Sequence, residues 1–229
     1  MDTTRRGMTH RVVRTRSFMV SVMLLLIVFV VLAVVIASRW APVLGFDNYT
    51  EVAAHTLVLD HSVLRSAAVV ASAVGSPLSV DFVVVVATLG LLIKRRRAAA
   101  AYLLLAVAVN FGVETVVKHM VARPRPVWVD PVGHAAGFGF PSGHAGGTAV
   151  LCASILILAV PQLAPRPRLC AFALASLAII AVSTSRVLLG VHYPSDVLGG
   201  TVLGIACALG IAPILQLAYP HSHAVNAGA

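Results

Sequence analysis

Long apolar segments alternate with short polar ones along the 229 residues of this chain. An apolar run of about 20 residues can cross the hydrocarbon core of a bilayer as an α-helix. The pattern predicts six such helices, with the bounds Ser17–Ser38, Pro77–Ile93, Ala98–Lys118, Gly143–Val160, Leu169–Leu189 and Ser195–Leu217. We therefore expect an all-α, integral-membrane bundle of six transmembrane helices over residues 17–218.

The remaining segments are more polar. Residues 1–16 form a basic N-terminal region, and residues 219–229 form a short polar tail. Residues 39–66 mix charged and apolar positions, which predicts an external connection that contains an interfacial helix. Gly75 and Pro77 interrupt the apolar run that begins near Ala67, so we expect a short interfacial segment before the helix at Pro77.

The composition supports a membrane protein. Hydrophobic residues make up 59% of the chain and charged residues 11%, whereas a soluble domain has about 25% charged residues. The net charge of +9 comes from short basic runs beside apolar segments. This arrangement is typical of membrane proteins and suits anionic lipid headgroups, so we expect membrane lipids and no nucleic acid as partners.

The basic residues also predict the orientation. Six predicted helices place both termini on one side, and eleven of the 17 Lys and Arg residues fall on that side: the five arginines of residues 1–16, Lys94–Arg97, Arg166 and Arg168. The other side has six: Arg39, Arg65, Lys118, Arg123, Arg125 and Arg186. Since the richer side is normally cytoplasmic, we expect a multi-pass protein of the cell membrane with cytoplasmic termini.

Three polar stretches fall at helix ends on the predicted external side: "KHMVARPRP", "FPSGHAGG" and "SRVLLGVHYPSD". They supply three cations, Lys118, Arg125 and Arg186, with few acidic residues nearby. Cations at the edge of an apolar region are costly unless they are paired or solvated. An external anion would satisfy them, and the planar guanidinium group suits phosphate in particular.

The second stretch begins a predicted helix. Ser142 can cap this helix, and Gly143 lets a backbone N–H approach a ligand closely. The free N–H groups of a helix N-terminus bind anions readily. Plain capping explains "PSG" equally well on its own.

Two histidines, His144 and His192, could move protons near neutral pH. If Asp196 accepts a hydrogen bond from one ring nitrogen of His192, the other nitrogen is unprotonated and can act as a nucleophile. A regular helical turn over "HYPSD" would give this contact. Because Pro194 restrains Tyr193, an N-cap or Asx-type arrangement at Ser195 and Asp196 is the alternative.

These residues resemble the signature of the type 2 phosphatidic acid phosphatase family, which is related to the vanadium haloperoxidases. The signature has three parts: K, six residues, then RP; PSGH; and SR, five residues, H, three residues, D. The chain matches them in order, with Lys118, Arg125 and Pro126; Pro141, Ser142, Gly143 and His144; and Ser185, Arg186, His192 and Asp196.

The resemblance implies a role for each matched residue. His192 would attack phosphorus and form a phosphohistidine, Asp196 would orient it, and His144 would protonate the leaving oxygen. The phosphoryl oxygens would be held by Lys118, Arg125, Arg186 and the backbone N–H groups near Ser142 and Gly143. Similar enzymes do not usually need a metal ion, and we expect neither a metal nor a cofactor here, because no acidic cluster is available for magnesium.

The expected function is therefore that of a lipid phosphatase whose site lies at the external ends of helices 3 to 6. A polyprenyl diphosphate (undecaprenyl or decaprenyl) is the preferred substrate, and phosphatidylglycerophosphate or phosphatidic acid is the alternative. A catalytically silent lipid-binding or lipid-translocating protein could use the same cationic pocket, although the intact histidine pair argues against it. No obligate protein partner is predicted.

Neighbouring residues leave further alternatives open. Arg123 could contact a second phosphate or face solvent and headgroups. Trp128, Phe138 and Phe140 could line a lipid entrance, but interfacial anchoring is favoured slightly. Glu114 lies one helical turn before Lys118 and is expected to pair with it.

Overall fold

The computed structural model describes residues 3–218, with side chains for residues 18–215. Over this range the chain forms nine α-helices, with a short 3-10 turn at Val160–Gln162. The helices are α1 Thr3–Ala37, α2 Ala41–Asp60, α3 Ser62–Val74, α4 Pro77–Ile93, α5 Arg97–Val121, α6 Gly143–Ala159, α7 Pro165–Leu188, α8 Pro194–Ile211 and α9 Pro213–Ala218. The prediction of an all-α membrane fold is confirmed.

Five segments in the described range are long and apolar enough to cross a membrane, and they lie in α1, α5, α6, α7 and α8. The bent pair of α2 and α3 raises the number to six if it counts as one span. Helix α4, which the sequence pattern predicted as a span, has 17 residues. That length is at the lower limit for crossing a bilayer.

The first predicted transmembrane helix agrees with the candidate membrane span Phe18–Ala37, although helix α1 itself begins at Thr3. Two other predicted helix bounds need correction. Helix α7 begins at Pro165, four residues before the predicted start at Leu169, because proline is well suited to the first turn of a helix. The predicted last helix is divided at Pro213, between α8 and α9, since a proline inside a helix removes a hydrogen bond and clashes with the preceding turn.

The largest addition to the predicted fold is the pair α2 and α3, where only a connection with interfacial helix was expected. The two helices meet at an angle of 114°. One face of α2 is polar and buried, and it carries Asp47, Glu51 and His55. The outer face exposes apolar and aromatic side chains such as Phe46 and Tyr49. Helix α2 thus turns its polar face toward the bundle.

The centre of the bundle is the contact between α6 and α8. A Cβ atom added at Gly146 would lie 3.2 Å from the carbonyl oxygen of Gly200, so the two backbones approach closely. The backbone N–H of Ser142 donates to the carbonyl of Asp196 at 3.0 Å. Because both helices begin near this bond, their N-terminal ends lie side by side, and we call this end of the bundle the site end.

The core beneath the site end is aromatic and aliphatic. Phe140 is fully buried and stacks on Phe29 of α1, with ring centroids 5.9 Å apart. Tyr102 of α5 is also buried, and its hydroxyl donates to the carbonyl of Ala208 at 3.0 Å. The expectation that Phe140 anchors the loop at the membrane interface is therefore wrong, because its ring packs inside the protein.

Candidate active site

The three polar stretches meet at the site end. Lys118 lies in the last turn of α5 and Arg186 in the last turn of α7. Ser142 occupies the N-cap position of α6, but its side chain makes no capping hydrogen bond. The chain then turns through Gly190, whose φ of +68° is in the left-handed region. A Cβ atom at Gly190 would lie 2.5 Å from the indole nitrogen of Trp128, so glycine is needed at the turn that brings His192 back beside Arg186.

His192 and Asp196 are in contact at the start of α8. The imidazole Nδ1 lies 3.3 Å from Oδ2 of Asp196. His192 itself precedes the helix, whose first residue is Pro194, and Asp196 accepts a 3.0 Å hydrogen bond from the backbone N–H of Tyr193. The N-cap arrangement, and not a regular helical turn, therefore gives the contact.

The other ring nitrogen of His192 faces Arg125. One guanidinium nitrogen, Nη1, lies 2.8 Å from Nε2. Arginine has only donors, so Nε2 must be the acceptor and the ring proton must be on Nδ1, where Asp196 accepts it. The contacts thus fix the tautomer that leaves an unshared electron pair on Nε2.

Burial keeps this imidazole uncharged. His192 is 1% exposed, and burial lowers its pKa to about 4, an effect that the hydrogen bond to Asp196 opposes and the nearby Arg125 strengthens. At neutral pH the ring is therefore the free base, which is the form that can attack an electrophile.

Arg125 is bound on several sides. Besides His192, it donates to the carbonyl of Val191 at 2.9 Å. It also donates to three carbonyls of the loop before α6, those of Ala136, Gly137 and Phe138. The side chain therefore holds this loop against the turn that carries His192.

Arg123 is not solvated and does not face headgroups. It is 6% exposed and donates to Asp196 at 2.5 Å and to Asp47 at 2.7 Å. Its guanidinium carbon lies 4.2 Å from the centre of the Tyr193 ring. Both open alternatives for Arg123 are thus replaced by a third, a buried ion pair with the carboxylate that contacts His192.

Lys118 has the acidic partner that the spacing predicts. Its ammonium group lies 2.7 Å from Glu114 and also donates to the carbonyl of Pro141. The carboxylate of Glu114 lies against Gly143, where an added Cβ would be 2.5 Å away. A carboxylate and a lysine thus lie together at the N-terminus of α6.

The remaining predicted residues complete the same cluster. Ser142 is fully buried, and Arg186 is 6% exposed and donates to the hydroxyl of Ser72 on α3. Two buried atoms of this pair, Oγ of Ser142 and Nε of Arg186, have no hydrogen-bond partner within the described residues. His144, the second residue of α6, lies near enough to Lys118, Arg125, Arg186 and His192 to interact with them electrostatically.

Three residues at this end were missed by the sequence reasoning: Asp47, Ser72 and Ser195. Asp47 lies in the predicted connection, Ser72 lies in the short interfacial segment predicted before Pro77, and Ser195 was considered only as a cap. A signal was present for Asp47, because Asp47, Glu51 and His55 recur every four residues and so share one helix face. Over residues 18–215 no group of three or more His, Cys, Asp or Glu side chains is arranged to hold a metal ion.

The model of the PAP2 superfamily matches residues 99–219, which is more than half of the chain and contains all of the motif residues. This chain belongs to the PAP2 superfamily. The match begins after α4, so α2 and α3 lie outside it.

Two relatives of known sequence carry names that refer to different lipid substrates. Phosphatidylglycerophosphatase B of Bacillus subtilis is 31% identical over 125 residues, which are 53% of this chain and 61% of that protein. YbjG of Escherichia coli, whose name as an undecaprenyl-diphosphatase is itself provisional, is 32% identical over 117 residues, which are 49% of this chain and 54% of that protein. The chain thus spans less than two thirds of the length of these relatives.

Two solved structures match a larger part of this chain than the sequence relatives do. The transmembrane PAP2-type phosphatidylglycerolphosphate phosphatase of Bacillus subtilis superposes with a TM-score of 0.73 at 26% identity, covering 83% of this chain and 94% of that one. LpxE of Aquifex aeolicus superposes with a TM-score of 0.54 at 22% identity, covering 66% of this chain and 86% of that one, which shows the fold alone. The chain therefore has the fold of a multi-pass PAP2 membrane protein.

Proposed function

We propose that this chain is an integral-membrane lipid phosphatase that acts through a phosphohistidine on His192. The observation that carries the proposal is the pair of contacts on the two ring nitrogens. Nδ1 donates to the carboxylate of Asp196, and Nε2 accepts from the guanidinium of Arg125. A buried, uncharged imidazole thus presents its electron pair toward a cation that we assign to phosphate binding. A neutral nucleophile among cations suits an anionic phosphorus centre.

In the first step, Nε2 of His192 attacks phosphorus and a P–N bond forms. The bond between phosphorus and the leaving lipid oxygen breaks, and His144 gives that oxygen a proton. Arg125 must release Nε2 for this attack, and its Nη1 is then available to a phosphoryl oxygen. Asp196 stabilises the positive charge that develops on the ring.

In the second step, water attacks the phosphohistidine, and His144 accepts a proton from this water. The P–N bond breaks, inorganic phosphate leaves, and His192 returns to its neutral form. No metal ion takes part in either step. The electrostatic stabilisation of the transition state is assigned to Lys118, Arg125 and Arg186.

The buried atoms without partners fit this assignment. A phosphoryl group between α6 and α7 would accept hydrogen bonds from Oγ of Ser142 and Nε of Arg186, both of which are otherwise unsatisfied among the described residues. It would also meet the first backbone N–H groups of α6, including that of Gly143, which have no partner within their own helix. Buried polar groups normally have partners, which supports an anion at this position.

The preferred substrate is a polyprenyl diphosphate in the outer leaflet. This choice rests on the excess of basic residues at the end opposite to the site, which favours a site on the extracytoplasmic side of the cell membrane. A diphosphate carrier lipid left outside after transfer of its cargo would reach such a site. The similarity to named phosphatidylglycerophosphate phosphatases supports phosphatidylglycerophosphate as the second candidate.

The test is phosphate release by the purified protein from undecaprenyl diphosphate, phosphatidylglycerophosphate and phosphatidic acid, each with and without EDTA. We expect release from at least one lipid, the highest kcat/KM on the diphosphate, competitive inhibition by vanadate, and little effect of EDTA. Strict dependence on Mg²⁺ would refute the metal-free mechanism. Binding of these lipids without any release would favour the lipid-binding alternative.

The orientation has its own test in a variant without the native cysteines Cys152, Cys170 and Cys207. Cysteine introduced at Ala136, in the loop before α6, should react with an impermeant thiol reagent in intact cells. Cysteine at Ala164, at the opposite end of the bundle, should react only after the membrane is permeabilised. Both positions are exposed, and the reverse labelling pattern would remove the outer-leaflet substrate.

A further inference from the structure

Arg123 lies between two buried carboxylates that come from different helices. Nη1 donates to Oδ1 of Asp196 at 2.5 Å, and Nη2 donates to Oδ2 of Asp47 at 2.7 Å. Both carboxylates are fully buried. Removing one partner of a buried ion pair leaves an unpaired buried charge, which is strongly unfavourable. The position of Arg123, and with it the position of Asp196, therefore depends on Asp47.

Asp47 also binds the first turn of α8 directly. Its Oδ1 accepts from the backbone N–H of Ser195 at 3.0 Å, and its Oδ2 accepts from the Ser195 hydroxyl at 2.5 Å. The same hydroxyl accepts from Nη1 of Arg123 at 2.7 Å. One carboxylate of α2 thus fixes both the residue beside Asp196 in the chain and the cation that holds the Asp196 side chain.

The net charge of Arg123, Asp47 and Asp196 also links Asp47 to His192. With Asp196 as its only partner, the guanidinium of Arg123 would offset the negative charge that Asp196 presents to His192. Asp47 shares that guanidinium, so the group of three keeps a net negative charge beside the imidazole. A positive charge on the His192 ring, as in a phosphorylated imidazole, is stabilised by such a group.

We propose that Asp47 is a positioning residue for the reaction, which acts on His192 through Arg123, Ser195 and Asp196. Asp47 lies outside residues 99–219, the part that the family model matches. The bent pair of α2 and α3 would then be a part of the catalytic unit that the motifs do not include. The inference rests on the proposed role of His192 as nucleophile.

The first test compares Asp47→Asn with Glu51→Gln. Both substitutions replace a buried carboxylate by an amide on the same face of α2, but the contacts to Arg123 and Ser195 belong to Asp47 alone of the two. Outer-shell carboxylates of this kind contribute about 10–100-fold to activity at metal sites. We expect Asp47→Asn to lower kcat by about that factor with KM nearly unchanged, and Glu51→Gln to have a much smaller effect. Equal losses in the two variants would overturn the inference.

The second test repeats Asp47→Asn in the Asp196→Asn background. If Asp47 acts through Asp196, its effect on kcat should largely disappear there, because residues of one network are not additive. A general loss of folded protein would instead lower kcat by the same factor in both backgrounds. That additive result would also overturn the inference.

A third readout does not need turnover, so it separates this inference from the proposed function. The Nδ1 proton of His192 that Asp196 accepts should give a downfield NMR signal that is absent in His192→Gln. We expect Asp47→Asn to move this signal and Glu51→Gln to leave it in place. If the wild-type protein releases no phosphate from any lipid, the proposed function fails, and a signal that is unmoved in Asp47→Asn refutes the positioning role separately.

Discussion

The two ends of the bundle hold similar cations in opposite ways. At the site end, Arg123 and Arg186 are each 6% exposed, and specific side chains of α2 and α3 bind them. At the other end, Lys94–Arg97 is an exposed basic run. Arg96 donates there to the side chain of Gln162 at 3.2 Å, and no acidic residue of the described range forms an ion pair with the run.

This difference separates two uses of positive charge in a membrane protein. A buried cation is tolerated only with matched partners, so each one at the site end fixes the geometry around it. Exposed cations stay solvated or lie among headgroups, and they affect orientation and lipid attraction. Substitutions at the two ends should therefore have very different effects on catalysis.

The largest effect should come from the nucleophile. His192→Ala removes the atom that would accept the phosphoryl group, so we expect kcat to fall by on the order of 10⁴-fold or more, with the variant still folded. Asp196→Asn should keep weak residual activity because the imidazole is still present. Purified variants assayed for phosphate release would check this, and a wild-type rate for folded His192→Ala would exclude the assignment.

Arg186→Ala should have the next largest effect. The loss of one donor to a developing oxyanion costs roughly 10²–10³-fold in rate, and vanadate inhibition should weaken in parallel because vanadate adopts a similar geometry. The matched control is Arg97→Ala, an exposed arginine at the start of α5. Similar losses in the two variants would mean that the two ends do not differ as described.

Glu114→Gln tests the carboxylate beside Lys118 and Gly143. The negative charge of Glu114 should oppose an incoming phosphate. Its removal should therefore tighten the binding of inorganic phosphate or vanadate, by about two- to fivefold for a partly exposed charge pair. Competitive inhibition constants measure this, with the exposed Asp81→Asn of α4 as the control. Weaker inhibition of Glu114→Gln would instead show that the carboxylate is needed to hold Lys118.

The smallest effect is expected at the basic run itself. Arg96→Ala should leave kcat and KM nearly unchanged. The bonds of Arg96 to Gln162 are exposed, and Arg96 precedes the first turn of α5, whereas the site lies at the last turn of that helix. Assays in detergent and in anionic vesicles would show whether only the vesicle assay responds. A loss of kcat in detergent comparable to that of Arg186→Ala would contradict the contrast between the ends.

The sequence by itself determined the parts of this protein that depend on local patterns. The length of an apolar segment predicts a membrane-spanning helix without any knowledge of its neighbours. The bounds of α5 and α6 were therefore predicted to within a few residues. The charged and titratable residues of the three polar stretches could be selected as candidates, because such residues are unusual at the edge of apolar segments. The pair of Glu114 and Lys118 followed from helical spacing alone.

Tertiary structure decided the contacts between residues that are far apart in the chain. Arg123 and Arg125 are two residues apart and look equivalent in the sequence, yet one is buried between Asp47 and Asp196 and the other faces His192. Asp47 lies 149 residues before Asp196 in a segment of mixed polarity, where no local pattern indicates its partner. Phe140 likewise packs on Phe29 of α1. Local periodicity shows which face of a helix is polar, but only the packing of helices decides which residue that face meets.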